Sequence, residues 1–215
     1  MAADFNVVAP PAVAGGFWTA DTATRTANTT FTVVTDKTAT YAKGLVVRWT
    51  EGATQRLGMV VSSSYGAPNT TVTIVGDTMA SIDASSFKYG AVGAECHIKE
   101  FAVAGGIGAT GTDVARAFYA YEPLRVIAAD INVGTAGTTN STTVDINKNG
   151  TTMFTAKPTL ASTVAASTTP YTADSTTALA LNDKVTIDVD AIQTTPATDL
   201  YVQLYVYPSR YLALA

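Results

Sequence analysis

The residues that could carry chemistry are few and scattered along the chain. There is one cysteine, Cys96, next to the one histidine, His97. Neighbouring residues of a strand project to opposite faces, so this pair cannot act as a thiol nucleophile and its base. No second histidine is present for a histidine-based metal cluster or for a catalytic triad. We therefore predict no catalytic residues.

The glutamates show no spacing that predicts a pair of catalytic carboxylates. They are Glu51, Glu95, Glu100 and Glu122. Two carboxylates distant in sequence can still meet in space, as they do in glycosidases. A polysaccharide-cleaving enzyme therefore remains a remote alternative.

Two aspartate-containing segments have features of a cation site. Residues 145–150, DINKNG, match the first half of a calcium-binding loop, but Ala156 stands where the loop needs a bidentate Glu. An Asn-Gly hairpin turn explains the same residues. Asp188 and Asp190 share one face of a strand that follows Asp183, an arrangement more typical of a solvated face. We predict no metal site, while cation binding by these three aspartates stays open.

A glycine-rich segment has the pattern of a dinucleotide-binding loop. The G-x-G-x-x-G pattern falls on Gly106, Gly108 and Gly111. Asp130 follows about 20 residues later, where such a fold places an acidic residue. A dinucleotide fold also needs a helix that opens within the glycines and alternating strands and helices, which the sequence lacks. We predict a flexible linker over residues 105–113 and no cofactor.

The segment nearest the C-terminus alternates with period two. One face is apolar and is predicted to face the core: Leu200, Val202, Leu204 and Val206. The other face carries Gln203 with a row of tyrosines, Tyr201, Tyr205 and Tyr207. Such a row is typical of a subunit interface or of a surface that stacks on sugar. Burial of the tyrosines by the chain's own loops explains them equally well.

Composition narrows the class of protein. Of the 215 residues, 47% are hydrophobic and only 14% charged, which disfavours long solvated helices. The formal net charge of −4 argues against nucleic acid as a partner. No apolar run approaches the roughly 18 residues of a membrane span. The N-terminal residues lack the basic region of a secretory signal, and one cysteine rules out an internal disulfide.

Short strands separated by turn signals predict an all-β fold with no helix longer than about three turns. We expect two small antiparallel β-barrel or sandwich modules. The first spans residues 31–104. The second spans residues 114–215 and is expected to be a jelly-roll-like sandwich. The linker 105–113 is predicted to separate them.

Residues 1–30 predict an extended N-terminal arm. Pro10 and Pro11 prevent a helix, and Gly15 and Gly16 loosen the chain. The large apolar residues of the arm are Phe5, Val7, Val8, Phe17 and Trp18. Because these side chains are costly to leave in water, we expect the arm to dock against its own module, a neighbouring subunit or a larger shell.

Two segments resemble β-modules of bacteriophage virion proteins. Within residues 29–90, FTVVTDKTATYAKGLVVRWTEG and VVSSSYGAPNTTVTIVGD are similar to a tail-fibre module in which a V-x-S-S-S-Y strand pairs with T-T-V-T-V. Thr35 and Asp36 stand where that module has Gly-Asp. The second segment carries DINKNGT and NDKVTIDVD, which resemble a β-sandwich of phage structural proteins with Asn182 in place of a glycine.

The resemblance implies a non-enzymatic component of a phage particle, made in the host cytoplasm and located on the virion surface. We favour a homotrimeric capsid decoration (cement) protein that binds the major capsid protein or other virion proteins and stabilises the head shell. The alternative is a tail-fibre or baseplate component that attaches to a host surface glycan. The resemblance supplies no catalytic residues and no cofactor.

Overall fold

The structure is a computed structural model that describes residues 18–82, 86–90, 97–174 and 177–213. The strands of the N-terminal part are β1 (Trp18–Ala20), β2 (Ala23–Ala27), β3 (Thr30–Val34), β4 (Val46–Glu51), β5 (Thr54–Gly66), β6 (Asn69–Gly76) and β7 (Lys88–Gly90). Those of the C-terminal part are β8 (His97–Gly106), β9 (Phe118–Tyr119), β10 (Leu124–Thr135), β11 (Thr142–Lys148), β12 (Thr151–Thr152), β13 (Thr159–Leu160), β14 (Tyr171–Thr172), β15 (Ala178–Leu179), β16 (Lys184–Ala191) and β17 (Thr198–Pro208).

The predicted all-β, antiparallel fold is confirmed. Within the described ranges the only helix is a 3₁₀ helix of five residues, Ser209–Ala213. Nothing in these ranges forms a helix with the length and apolar character needed to span a membrane. The low charge and abundant threonine of the sequence suit strands, because threonine packs well on a pleated, half-buried surface.

The first sheet has seven strands in the order β1-β7-β4-β5-β6-β3-β2. It does not close into a barrel, because β1 and β2 are its two edges. Aromatic side chains dominate its core, and Phe31 meets Phe87 edge-to-face with ring centroids 4.8 Å apart. The other large buried members of this core are Val33, Tyr41, Val47, Trp49, Val60, Val72, Ile74 and Met79.

The described residues 18–30 of the predicted arm form β1, β2 and the start of β3 and so belong to the first sheet. Their sequence shows no apolar period because edge strands have little to bury: in β2 only Ala23 is buried. Trp18 is buried against its own chain, with 4% of its surface exposed. The other predicted arm anchors lie outside the described residues: Phe5, Val7, Val8 and Phe17.

The C-terminal part is a sandwich of two five-stranded sheets. One sheet has the order β14-β10-β17-β8, with β15 also pairing with β10. The other has the order β12-β11-β16-β9, with β13 also pairing with β11. Branched and aromatic side chains from both inner faces fill the core between them, including Leu124, Ile131, Ile146, Phe154, Ile187 and Leu204.

The predicted linker does not separate the two parts. β8 pairs with β17 along most of its length and therefore belongs to the sandwich. The glycine-rich residues continue on the sandwich: Ile107 donates its N–H to the carbonyl of Ala197 at 2.9 Å, and Gly111 to that of Val189 at 3.0 Å. The change of sheet lies between Gly90 and His97. Alternation in the sequence indicates a strand, but it does not say which sheet that strand joins.

The first sheet packs on the outside of the sandwich. One buried cluster joins the first sheet to the start of β10 and the end of β17. The first sheet contributes Trp18, Val46, Leu57, Met59 and Val75 to it. The sandwich contributes Ile127, Ala128 and Tyr207 to this cluster. The two parts therefore share an apolar interface.

Candidate binding surface

The outward side of the β10–β17–β8 sheet carries the row of tyrosines predicted from the sequence. Along β17 its outward residues are Tyr201, Gln203, Tyr205 and Tyr207. Register places Asn132 and Asp130 of β10 beside Tyr201 and Gln203. On the other side, β8 contributes Ala102, Glu100 and Ile98. We call the part around Tyr201, Gln203, Tyr205, Asp130 and Glu100 the outer face.

The structure divides the tyrosine row. Tyr207 has no exposed surface, and its ring centroid lies 6.0 Å from those of Trp18 and Tyr211. The first sheet covers this end of β17, so Tyr207 cannot belong to an exposed face. Tyr201 and Tyr205 are half-buried and remain on the outer face.

Asp130 fixes the orientation of Tyr205. The Tyr205 hydroxyl donates to one carboxylate oxygen of Asp130 at 2.9 Å. The Ser167 hydroxyl donates to the other oxygen at 3.0 Å. Since both oxygens accept a hydrogen bond, the carboxylate holds the tyrosine ring across the sheet. Asp130 lies within β10, which pairs antiparallel with β17, and not in the alternating strand-and-helix unit of a dinucleotide fold.

Glu100 plays a similar part on the other side of β17, where it lies in register with Gln203. It accepts a hydrogen bond from Gln203 Nε2 at 3.4 Å. A hydrogen bond between Tyr201 and Glu100 raises the pKa of Tyr201 above its usual value. The outer face therefore alternates aromatic rings with planar polar groups. Aromatic rings can stack on a polyhydroxylated ligand through their flat apolar surface. The carboxylate and amide groups beside them can hydrogen-bond to its hydroxyl groups.

An open groove of about 490 Å³ lies beside β10. Ser167 lines this groove and connects it to Asp130 of the outer face. Tyr171 is fixed in the groove wall by a hydrogen bond from its hydroxyl to the carbonyl of Thr159 at 2.5 Å. Sequence reasoning missed Ser167, since it lies in a polar segment with no periodic pattern.

The three aspartates considered for cation binding are each engaged by protein groups. Asp183 accepts from Asn149 Nδ2 at 2.7 Å, and Asp190 pairs with Lys157 at 2.6 Å. Asp188 accepts from Asn147 Nδ2 at 3.0 Å. Across the described ranges, no three His, Cys, Asp or Glu side chains converge in a way that could hold a metal ion.

The DINKNG segment forms the hairpin expected as the alternative to a calcium loop. Residues 142–148 are β11, and Asn149 and Gly150 turn the chain into β12 with φ of 49° and 83°. Both values lie in the left-handed region that Asn and Gly adopt more readily than other residues. The residues at this site thus shape a turn.

The described glutamates lie in three separate settings. Glu51 accepts from Trp49 Nε1 at 3.0 Å, Glu100 belongs to the outer face, and Glu122 pairs with Arg210. Burial lowers the pKa of His97, and the charges of nearby Lys99 and Arg210 lower it further. Cys96 and Glu95 lie outside the described residues.

The sequence was compared with protein-family models and with curated proteins. No protein-family model matches the sequence, and no curated protein matches it.

Proposed function

We propose that the protein is a non-enzymatic structural component of a bacteriophage particle, a homotrimeric decoration protein that binds the major capsid protein and stabilises the head shell. The resemblance of its segments to virion modules supports this proposal. The V-x-S-S-S-Y segment lies in β5 and pairs with the TTVT segment in β6, as in the module it resembles. DINKNG and NDKVTIDVD lie in the paired strands β11 and β16 and in their turns.

One observation carries the proposal: the first described residue, Trp18, is buried where the two parts of the protein meet. Its ring contacts Tyr207 of the sandwich, and its Nε1 donates to the carbonyl of Tyr211 at 2.9 Å. Arg48 lies over the same ring at 4.5 Å. Residues 1–17 are therefore joined to the body at a firmly packed point, as an anchoring segment requires.

Low charge favours association with copies of the same chain or with other shell proteins. The net charge of −4 over 215 residues gives weak mutual repulsion. Threonine-rich surfaces can pack without burying charges, so contacts between subunits need not cost ion desolvation. The apolar residues of the predicted arm other than Trp18, which are Phe5, Val7, Val8 and Phe17, could contribute about 1.5 to 3 kcal/mol each on burial, before the cost of ordering the backbone.

The decisive experiment locates the protein on the particle. Antibodies against the purified protein should label the heads of intact phage particles in electron micrographs. Sedimentation equilibrium of the purified protein should give a trimer. Label restricted to tails, or no label on particles, would contradict the decoration role.

A second candidate function is attachment to a host surface glycan as part of a tail fibre or baseplate. The outer face favours it, because Tyr201 and Tyr205 flank Gln203 with carboxylates within reach on both neighbouring strands. The adjacent groove has the size of a small-ligand site.

Titration with host cell-surface polysaccharide tests this second candidate. Tyr201→Ala should weaken binding about tenfold, equivalent to about 1.4 kcal/mol. Tyr65→Ala is the matched control, because Tyr65 is an exposed tyrosine of the first sheet. Equal binding by both variants and the unchanged protein would exclude the outer face as the glycan site.

A further inference from the structure

Large exposed apolar side chains collect at one end of the sandwich. Tyr119, Tyr121 and Leu181 are each more than half exposed, at 59%, 53% and 57%. We call these three residues the end patch. The other large apolar side chains that are exposed in the described residues lie elsewhere: Val34, Tyr65, Ile98 and Val164.

Strand pairing and loop contacts place the end-patch residues together. Tyr119 pairs with Lys184 across β9 and β16. The N–H of Asn182 donates to the carbonyl of Ala120 at 2.7 Å, which puts Leu181 beside the two tyrosines that flank Ala120. The start of β8 reaches the same place, because Lys99 Nζ lies 4.7 Å from the ring centroid of Tyr121.

A chain of contacts links the end patch to the start of the described chain. Trp18 donates to the carbonyl of Tyr211, and the Arg210 guanidinium lies 4.6 Å from the centroid of the Tyr211 ring. Arg210 pairs with Glu122, which directly follows Tyr121. The N-terminal segment is thus joined to the body close to the end patch.

The sequence of residues 1–17 is chemically complementary to the end patch. It contains Phe5, Val7, Val8 and Phe17, and its only charged side chain is the acidic Asp4. Lys99 supplies a cation beside the patch. Seventeen residues reach at most about 60 Å when extended, which is enough to pass from one subunit to the next.

We propose that the end patch of one copy receives residues 1–17 of a neighbouring copy; this inference rests on the self-association in the proposed function. Each subunit gives its N-terminal segment at one surface and accepts another at a different surface. Such a heterologous contact gives a ring when its rotation closes, and a ring of three copies is the cyclic trimer of the proposed function. β8 adjoins the patch as an edge strand of its sheet and offers backbone groups for strand addition.

The test combines cross-linking with isotope labelling of the full chain. A photo-reactive benzoylphenylalanine replaces Phe5, and equal amounts of ¹⁴N and ¹⁵N protein are unfolded together, refolded, irradiated and digested. We expect cross-links from position 5 to residues 118–121 or 181 that join one light and one heavy peptide. Cross-links only within one isotope would mean that the segment covers its own chain's patch, and would overturn the inference.

Surface variants provide an independent test, in which sedimentation equilibrium measures the strength of self-association. Leu181→Ser with Tyr121→Ser should weaken self-association at least tenfold, whereas Val34→Ser should leave it unchanged. Because these residues are exposed, all three substitutions should preserve the fold, as checked by circular dichroism. A trimer that persists in the patch variant would overturn the inference while leaving the proposed trimeric function intact. A monomeric unchanged protein would overturn both.

Discussion

Arg125 on β10 donates from Nη2 to both carboxylate oxygens of Asp77, at 2.8 and 2.9 Å, and so joins the sandwich to the first sheet. Asp77 is 6% exposed and also accepts the backbone N–H of Leu57 at 2.9 Å. The carboxylate therefore serves both partners at the edge of the apolar interface. Because these hydrogen bonds are directional, they define the relative orientation of the two parts more narrowly than apolar contacts do.

Removing this carboxylate should destabilise the protein strongly. Asp77→Ala removes the charge that faces the partly buried Arg125 and the acceptor of the buried Leu57 N–H, so we expect the free energy of unfolding to fall by about 3 kcal/mol. Urea unfolding monitored by tryptophan fluorescence measures this change. Lys184→Ala is the control, because Lys184 and its partner Asp113 are exposed and an exposed ion pair contributes little to stability. Equal losses in the two variants would contradict the role given to Asp77.

Gly76 should tolerate no side chain. Its φ is +127°, and an added Cβ would lie 2.7 Å from the carbonyl oxygen of Leu57 and 3.1 Å from Ile127 Cγ2 at the interface. We expect Gly76→Ala to lower the melting temperature, with a cost of about 1 to 3 kcal/mol. Gly66→Ala, where an added Cβ meets no atom within 4 Å, should change stability little. Similar melting temperatures for both variants would show that the Gly76 position accommodates a side chain.

Asp21 should make stability depend on pH in the acid range. Burial alone would raise its pKa, but hydrogen bonds from Lys37, Tyr41 and the N–H of Thr22 lower it below its usual value. A carboxyl group with a lowered folded-state pKa stabilises the protein fully above its unfolded-state pKa, near 3.8. That contribution is lost as the pH falls through the folded-state value.

The measurement compares the protein with Asp21→Asn by urea unfolding from pH 7 down to about pH 2. At neutral pH the variant should be less stable by about 1 to 3 kcal/mol, because Tyr41 is fully buried and loses its charged acceptor. The difference should shrink at the acid end. A difference that stays constant across the range would show that the Asp21 charge is not responsible.

Asn149→Ala should weaken the β11–β12 hairpin. Asn149 holds a φ of 49°, donates to Asp183 at 2.7 Å and accepts the N–H of Lys184 at 2.8 Å. Alanine lacks both hydrogen bonds and adopts this backbone conformation less readily, so we expect a loss of about 1 to 2 kcal/mol. Faster hydrogen exchange of the Met153 amide, bonded to the Ile146 carbonyl, would report the weakened hairpin directly.

The all-β fold could be predicted from local sequence patterns. Period-two alternation and turn residues reflect the backbone geometry of strands and turns, which involves only neighbouring residues. Alternation along residues 200–206 identified the core face of β17, where Leu200, Val202, Leu204 and Val206 are buried. Asn149-Gly150 predicted its hairpin, since few residues other than Asn and Gly adopt positive φ at low cost. In both cases the physical cause acts within a few neighbouring residues.

Tertiary structure alone decided which strands share a sheet and which tyrosines remain accessible. The segment HIKEFAV reads as a strand, but only its pairing with β17 assigns β8 to the sandwich and places the boundary before His97. Tyr205 and Tyr207 have the same residue type and lie on the same side of one strand. Tyr207 is buried because the first sheet packs over that end of the strand, whereas Tyr205 is held by Asp130. Such outcomes depend on contacts between residues distant in the chain, which periodicity does not record.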